Sequence, residues 1–210
     1  HHEQDIQKMG KLHAKLPLTH LAFLFGTLAI IGMPPFSGFF SKDEILWMAF
    51  NYHPLVWFFA WIGALMTAFY MVRLFTIVFY GPTSGHPGQP QEAPSLMALA
   101  LIVLSLFSLI GGFIGIPHTL HGILPIHNFL EAFLVPIFSR QLMVDSSTTV
   151  EYILMTLTTV SMVAVAVASF VIFHKHREWA THLRVKFSTI HKIISDKYYV
   201  DETYDRFLVK

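Results

Sequence analysis

The chain has 210 residues, of which 54% are hydrophobic and only 13% are charged, and its formal net charge is +1. Because soluble domains carry about 25% charged residues, this deficit predicts an integral membrane protein. A net charge near zero gives no electrostatic basis for binding nucleic acid. The lack of cysteine excludes disulfides, thiolate metal sites and cysteine-held iron–sulfur clusters.

The chain begins with a polar, basic stretch and then becomes apolar. Residues 1–16 include three lysines, which predicts a lead-in that lies in water; since no initiator methionine or signal peptide opens it, we expect a fragment of a longer polypeptide. The apolar run 17–33 would be roughly 25 Å long as a helix, close to the ~30 Å that a membrane span needs. Two interpretations stay open. Either 17–33 crosses the bilayer alone and Lys42 lies at the far surface, or 17–50 is one broken span and Lys42 lies inside it.

A short interruption that combines prolines, a glycine and charges separates two apolar runs. Pro34-Pro35 predicts that the first helix ends there, because proline removes a backbone hydrogen bond and clashes with the preceding turn. Ser41 and Glu44 have the spacing of a capping box, which predicts a second helix starting at Ser41 with Lys42 and Asp43 in its first turn. Irregular backbone and ionisable side chains are costly at membrane depth, so a buried break would indicate an ion or proton pathway.

Further apolar runs complete the prediction of an all-α, polytopic transmembrane helix bundle with one discontinuous helix. We expect a transmembrane region over 17–173, with spans at about 17–50 (broken), 55–80, 95–116 and 149–173 and an interfacial piece at 123–138. In residues 174–210 a basic cluster precedes apolar residues at helical spacing, which predicts an amphipathic segment on the membrane surface. Basic residues flank the first span and follow the last one, so the positive-inside rule predicts cytoplasmic ends.

Lys42 and Asp43 are the leading candidate site residues. One interpretation is an interfacial loop whose lysine reaches into water. The other is a proton relay, in which a desolvated Lys42 exchanges a proton near neutral pH while Asp43 tunes it. Lysine suits this role better than arginine, which does not give up its proton. Spacing alone does not decide between the two.

Three further residues are accessory candidates: Glu44, Arg73 and His20. Arg73 either reaches the near membrane surface or acts as a fixed cation that pairs with a carboxylate. His20 either lies at the interface or takes part in a proton path.

No metal, cofactor or covalent-catalysis site is predicted. A loose group of histidines occurs at His118, His121 and His127, but no carboxylate arrangement completes a metal site. The sequence also lacks a dinucleotide-binding or P-loop motif and a Ser/His/Asp arrangement.

Three motifs resemble one known family. They are His1-His2-Glu3-Gln4-Asp5-Ile6 with Lys8-Met9-Gly10, the stretch from Pro34-Pro35 to Gly38-Phe39-Phe40-Ser41-Lys42-Asp43-Glu44-Ile45-Leu46, and Lys197-Tyr198-Tyr199-Val200-Asp201-Glu202. Together they resemble the C-terminal part of the subunit L family of bacterial NADH-quinone oxidoreductase, the antiporter-like chains of respiratory complex I related to mitochondrial NADH dehydrogenase chain 5. The resemblance runs along the whole chain.

The resemblance implies a proton-translocating subunit in which Lys42 matches the lysine of a discontinuous helix and Asp43 lies beside it. It implies a bacterial inner membrane and, as partners, the lipid bilayer and other membrane subunits of complex I, including a neighbouring antiporter-like subunit. Flavin and iron–sulfur clusters would lie in partner subunits, so no cofactor or redox centre is expected in this chain. An N-terminal repeat, a lateral helix and a last span would lie outside it, so this stretch is not expected to pump alone.

Two alternatives remain beside the complex I interpretation. A large subunit of a multisubunit Na⁺/H⁺ antiporter, or the matching chain of a membrane-bound hydrogenase, would use the same broken-helix lysine. A non-transporting scaffold would anchor other subunits, and its transport would not depend on Lys42.

Overall fold

The computed structural model describes residues 5–82, 90–117, 120, 128–134 and 148–209. These residues form helices and no strand, which confirms the all-α prediction for the described part of the chain. The α-helices are α1 Pro17–Ile31, α2 Ser37–Tyr52, α3 Pro54–Tyr80, α4 Ser95–Ile110, α5 Phe129–Leu134, α6 Thr148–Lys175, α7 Arg177–Lys186, α8 Ser188–Ser195 and α9 Val200–Tyr204. The chain divides into two compact units, His1–Phe170 and Val171–Lys210.

Three helices in the described residues are long and apolar enough to cross a membrane: Pro54–Tyr80, Ser95–Ile114 and Thr149–Lys175. The second of these includes a 3₁₀ turn, Gly111–Ile114, that continues α4. Helix α1 is apolar but shorter. Of the interfacial piece predicted at 123–138, only 128–134 is described, and the histidines at 118, 121 and 127 lie outside the described residues.

The predicted interruption near Pro34 is present. Helix α1 ends at Ile31, and its C-cap residue Gly32 has a φ of 87°, in the left-handed region that glycine occupies without a Cβ penalty. The capping-box prediction is wrong, because α2 begins at Ser37 and not at Ser41. A turn closed by the Phe36 N–H to the Met33 carbonyl directly precedes Ser37, so the helix starts immediately after the prolines. Lys42 and Asp43 therefore lie in the second turn of α2.

The start of α1 is capped by a side chain from a distant loop. The Glu92 carboxylate accepts hydrogen bonds from the Leu18 N–H and the Thr19 hydroxyl, both at 2.8 Å, and a longer one from the Thr19 N–H. A carboxylate at a helix N-terminus satisfies N–H groups that lack helix partners and interacts favourably with the helix dipole. Glu92 thus fixes the segment before α4 to the first turn of α1.

Helices α1, α2, α3 and α6 build the core of the first unit. Ile31, at the end of α1, clusters with Ala68, Met71 and Val72 of α3 and Ala166 of α6. A second cluster joins Leu46 of α2, Ala64 of α3 and Met162 of α6. Two hydrogen bonds hold α6 to α3: Trp61 Nε1 donates to Ser161 Oγ at 3.1 Å, and Ser169 Oγ donates to the Phe69 carbonyl at 2.9 Å.

These contacts locate the break along α3. Ala68, which clusters with Ile31, lies about 21 Å from Pro54 and about 18 Å from Tyr80 at ~1.5 Å per residue. The end of α1 therefore packs beside the middle of a helix that is long enough to span a membrane.

The second unit is a series of short helices. Helices α7 and α8 are amphipathic, and they are followed by a 3₁₀ turn, Lys197–Tyr199, and by α9. Several of its large apolar side chains are exposed: Trp179, Val185, Ile194 and Phe207.

Candidate functional site

The end of α1 leaves four carbonyl groups without helical N–H partners, as every α-helix does. Backbone groups satisfy two of them. The Gly32 N–H donates to the Leu28 and Ala29 carbonyls at 3.2 and 3.1 Å, and the Met33 N–H donates to the Leu28 carbonyl at 3.0 Å. This is the pattern in which a left-handed glycine closes a helix. The carbonyls of Ile30 and Ile31 are left for another donor.

Lys42 supplies that donor. Its Nζ donates to the Ile30 carbonyl at 2.8 Å and to the Ile31 carbonyl at 3.0 Å. The negative end of a helix dipole stabilises a cation, so the end of α1 is a favourable place for the lysine charge. The contact explains how a half-buried ammonium group is held at the break, and it also gives Lys42 a structural role as a side-chain cap.

Asp43 lies beside this lysine in a less favourable environment. Its side chain is only 8% exposed, and its Oδ2 has no hydrogen-bond partner in the described structure. A buried carboxylate without partners is costly as an anion. The charges of Glu151 and, more weakly, Glu44 act on Asp43.

A cavity of about 10 Å³ connects the break to α6. Gly32, Lys42 and Asp43 line one side, and Thr158 and Thr159 line the other. This volume is about the minimum that holds one water molecule. Lys42 and Asp43 thus border one water-sized space.

Glu151 is a buried acidic residue near the site that was not predicted from the sequence. Glu151 lies in the first turn of α6 and is 9% exposed. Its position at the edge of an apolar run made it indistinguishable from an ordinary boundary residue. One signal was available: Glu151 and Thr158 fall on one face of a helix, because residues seven apart are two turns apart.

The three accessory candidates are not brought together. Glu44 is next to Asp43 and half-buried, whereas Arg73 lies on an exposed face of α3. His20 Nε2 is 3.3 Å from the Tyr80 hydroxyl. His20 lies about 16 Å from Ile31 along α1, at ~1.5 Å per residue. Thr27 lies on α1 between His20 and Ile31, and its buried hydroxyl has no hydrogen-bond partner in the described structure. His20 is thus near the start of α1 and not part of the break.

The described residues contain no candidate metal centre. Among them, no group of three or more His, Asp or Glu side chains is arranged to hold a metal ion.

Two family models match the chain. One, described as "NADH:quinone oxidoreductase/Mrp antiporter, TM", matches residues 1–67. The other, which describes the C-terminal transmembrane helices of an NADH dehydrogenase chain of complex I, matches residues 66–205. The second match alone covers more than half of the chain.

Curated relatives agree with these models. NAD(P)H-quinone oxidoreductase chain 5 of Picosynechococcus sp. is 33% identical over 230 residues, which cover 98% of this chain and 33% of the relative. NADH-quinone oxidoreductase subunit L of Campylobacter jejuni is 31% identical over 206 residues, covering 98% of the chain and 31% of the relative. Subunit L of Mycobacterium tuberculosis is 41% identical over 133 residues, covering 60% and 21%.

The chain spans about one third of the length of the first two of these relatives. Both family models and all three relatives carry names of NADH-quinone oxidoreductase or NADH dehydrogenase membrane chains. The chain therefore belongs to the family of antiporter-like membrane subunits of complex I that includes NADH-quinone oxidoreductase chain 5 and subunit L.

Proposed function

We propose that the chain is part of a proton-translocating membrane subunit of NADH-quinone oxidoreductase, in which Lys42 carries a proton at the break between α1 and α2. The observation that supports this most directly is the pair of hydrogen bonds from Lys42 Nζ to the Ile30 and Ile31 carbonyls, beside the middle of α3. An ammonium group at that depth is expensive. An apolar residue and a conventional helix connection would be cheaper, so the charge is best explained by transport.

The chemistry follows from the two neighbouring groups. As an ammonium, Lys42 makes charge-assisted hydrogen bonds to both carbonyls; as a neutral amine it still has two N–H donors, but the bonds are weaker. A proton that leaves Nζ can pass through a water to Asp43, where an O–H bond forms as the N–H bond breaks. Both groups are then neutral, which removes the desolvation cost of two buried charges.

The charge distribution supports entry of the proton from the cytoplasmic side. The positive-inside rule supports a cytoplasmic location for residues 1–16 and for the basic segment after α6, in a bacterial inner membrane. His20 and Tyr80 would then lie near the cytoplasmic surface as an accessory proton-accepting pair. Arg73 is assigned no step beyond a fixed positive charge. Redox chemistry would occur in partner subunits that hold flavin and iron–sulfur clusters, and a neighbouring antiporter-like subunit would be the direct partner.

Charge-conserving substitution gives the sharpest test. The full-length subunit is assembled in its complex in sealed vesicles, and NADH oxidation and proton uptake are recorded together for Lys42→Ala and Lys42→Arg. Arginine keeps the charge and the donors but does not release its proton. We expect both variants to lose proton uptake, by on the order of a hundredfold for a lost proton-transfer group. Lys15→Arg, a matched change in the exposed lead-in, should behave as wild type.

The alternatives predict different results. Wild-type proton uptake in an assembled Lys42→Arg complex would refute the relay, and wild-type uptake in Lys42→Ala as well would favour a scaffold. The family description also names the Mrp antiporter, and the alternative of a multisubunit Na⁺/H⁺ antiporter makes Na⁺ the second candidate ion. Vesicles that take up ²²Na⁺ on NADH addition, and lose that uptake in Lys42→Ala, would favour it.

A further inference from the structure

Helix α6 turns one polar residue of its first turn toward the bundle. Its core-facing side carries Glu151, Met155, Thr158 and Met162, all of which are buried. These residues follow the three- and four-residue spacing of one helix face. Glu151 therefore belongs to the packed side of α6 and not to its outer side.

A helix-capping role alone does not explain this position. An acidic residue in a first turn interacts favourably with the helix dipole wherever it lies around the helix axis. The next two positions, Tyr152 and Ile153, are 37% and 61% exposed, whereas Glu151 is 9% exposed. A carboxylate on the exposed side would gain the same dipole interaction without the cost of desolvation.

The core face of α6, which carries Glu151, borders the break that holds Asp43, and the Glu151 charge acts on Asp43. Asp43 Oδ2 has no hydrogen-bond partner in the described structure, although the residue is more than nine-tenths buried, and it borders the water-sized cavity. Thr158, two turns from Glu151 on the same face of α6, lines the other side of that cavity. Glu151 therefore lies about 10 Å along this face of α6 from a residue that borders the cavity, at ~1.5 Å per residue.

We propose that Glu151 is a proton-carrying residue, which accepts the proton that leaves the Lys42–Asp43 pair and releases it on the side of the membrane where α6 begins. This inference rests on the proposed function of Lys42. It adds a residue and a direction: the proton moves away from α1 and along the core face of α6.

The transfer is balanced between two carboxyl groups. The Asp43 O–H bond breaks and Asp43 becomes an anion, while an O–H bond forms on the Glu151 carboxylate and Glu151 becomes neutral. A single negative charge is thus exchanged between the two sites, and they never need to be anionic together. Asp43 then receives the next proton from Lys42, and only afterwards does Glu151 give its proton to water at the start of α6, so the two carboxyl groups are never anionic together.

The test uses the complete complex in sealed vesicles, with variants Glu151→Gln, Glu151→Asp and Lys42→Ala. We expect Glu151→Gln to assemble and to lose proton uptake by on the order of tenfold or more, since a side-chain amide cannot carry the proton. Glu151→Asp should restore a large part of that uptake, which a purely structural loss would not. The matched control is Glu178→Gln, the same change at an exposed carboxylate in the first turn of α7, and it should behave as wild type.

A measurement on the wild-type complex covers the case in which a variant does not assemble. Hydrophobic carbodiimides modify protonated carboxyl groups in apolar surroundings, so we expect dicyclohexylcarbodiimide to label Glu151, as seen by mass spectrometry, in step with the loss of proton uptake. Uptake lost in Lys42→Ala but wild type in Glu151→Gln would overturn this inference and leave the proposed function standing. Wild-type uptake in Lys42→Ala would overturn both. No label on Glu151 at full inhibition would overturn the role of Glu151 alone.

Discussion

The close approach of α1 and α2 can be tested by one methyl group at Gly38. A Cβ at this position would overlap the backbone carbonyl oxygen of Ala29 and lie 2.8 Å from its carbonyl carbon. The obstacle is backbone, so it cannot move aside as a flexible side chain would. Ordinary van der Waals contact would require the two helices to separate by about 2 Å. We therefore expect Gly38→Ala to destabilise the folded protein by about 1–3 kcal/mol, as overpacking does.

The same displacement acts on Lys42. A separation of about 2 Å would lengthen its two bonds to the Ile30 and Ile31 carbonyls, now 2.8 and 3.0 Å, beyond hydrogen-bonding range. The assay measures the thermal midpoint at which the full-length subunit leaves its detergent-solubilised complex, and NADH-driven proton uptake in vesicles. We expect both to fall in Gly38→Ala.

Gly26→Ala is the matched control for this experiment. Gly26 is on α1, the helix that Gly38 of α2 approaches, and it has no atom within 4 Å of the added methyl position. Alanine inside a helix stabilises it by up to about 1 kcal/mol relative to glycine, so the midpoint should stay or rise. Equal midpoints for the two variants would refute the steric argument. A lowered midpoint with wild-type uptake per assembled complex would show that the approach serves packing and does not position Lys42.

Three further predictions concern the elements that support the site. Desolvation raises the pKa of Glu92, but hydrogen bonds from the Thr19 side chain and from nearby backbone N–H groups lower it more, so the pKa lies below its usual value. The ionised Glu92 cap therefore stabilises the folded state above about pH 4.3, and this stabilisation is lost as the pH falls further. We expect the thermal midpoint of the wild type to fall between about pH 5 and 3, and that of Glu92→Gln to fall less over the same range. Ser169→Ala removes the hydrogen bond to the Phe69 carbonyl and should lower the free energy of unfolding by about 0.5–1.5 kcal/mol. An unchanged denaturation midpoint would contradict this. Gly32→Ala forces a side chain into a left-handed conformation at a cost of about 1–2 kcal/mol, and thermal unfolding that matches wild type would contradict that.

The helical architecture could be predicted because its signals are local. Apolar runs and the paired prolines indicate where helices lie and where one must stop, and the all-α class and the interruption near Pro34 agree with the structure. The error at Ser41 is local too. A capping box is a pattern of two side chains, Ser41 and Glu44. The start of α2 is instead set by the turn that contains the prolines, so the helix begins at Ser37, four residues before Ser41.

The partners of Lys42 and Asp43 could not be predicted, because they depend on how distant helices rotate. Nothing in the sequence states that the Ile30 and Ile31 carbonyls are the two that backbone groups leave open, since this depends on the geometry of the glycine cap. Likewise, Glu92 and Glu151 become significant only when loops and helices far apart in the chain are packed together. A single residue at the edge of an apolar run carries no sign of which way it faces.

The hydrogen bonds between Lys42 and the end of α1 make the proton affinity of Lys42 depend on the distance between α1 and α2. Charge-assisted bonds contribute about 1.5–3 kcal/mol and neutral ones about 0.5–1.5 kcal/mol, so two of them favour the protonated state by about 2–3 kcal/mol when the helix end is in place. Linkage is reciprocal, so any movement that pulls the end of α1 from α2 weakens the hold on the proton by the same free energy, about 30- to 150-fold in affinity. A shift of about 1 Å at the break would suffice. A force transmitted through neighbouring helices could thus release a proton at this site without any change in the charge around it.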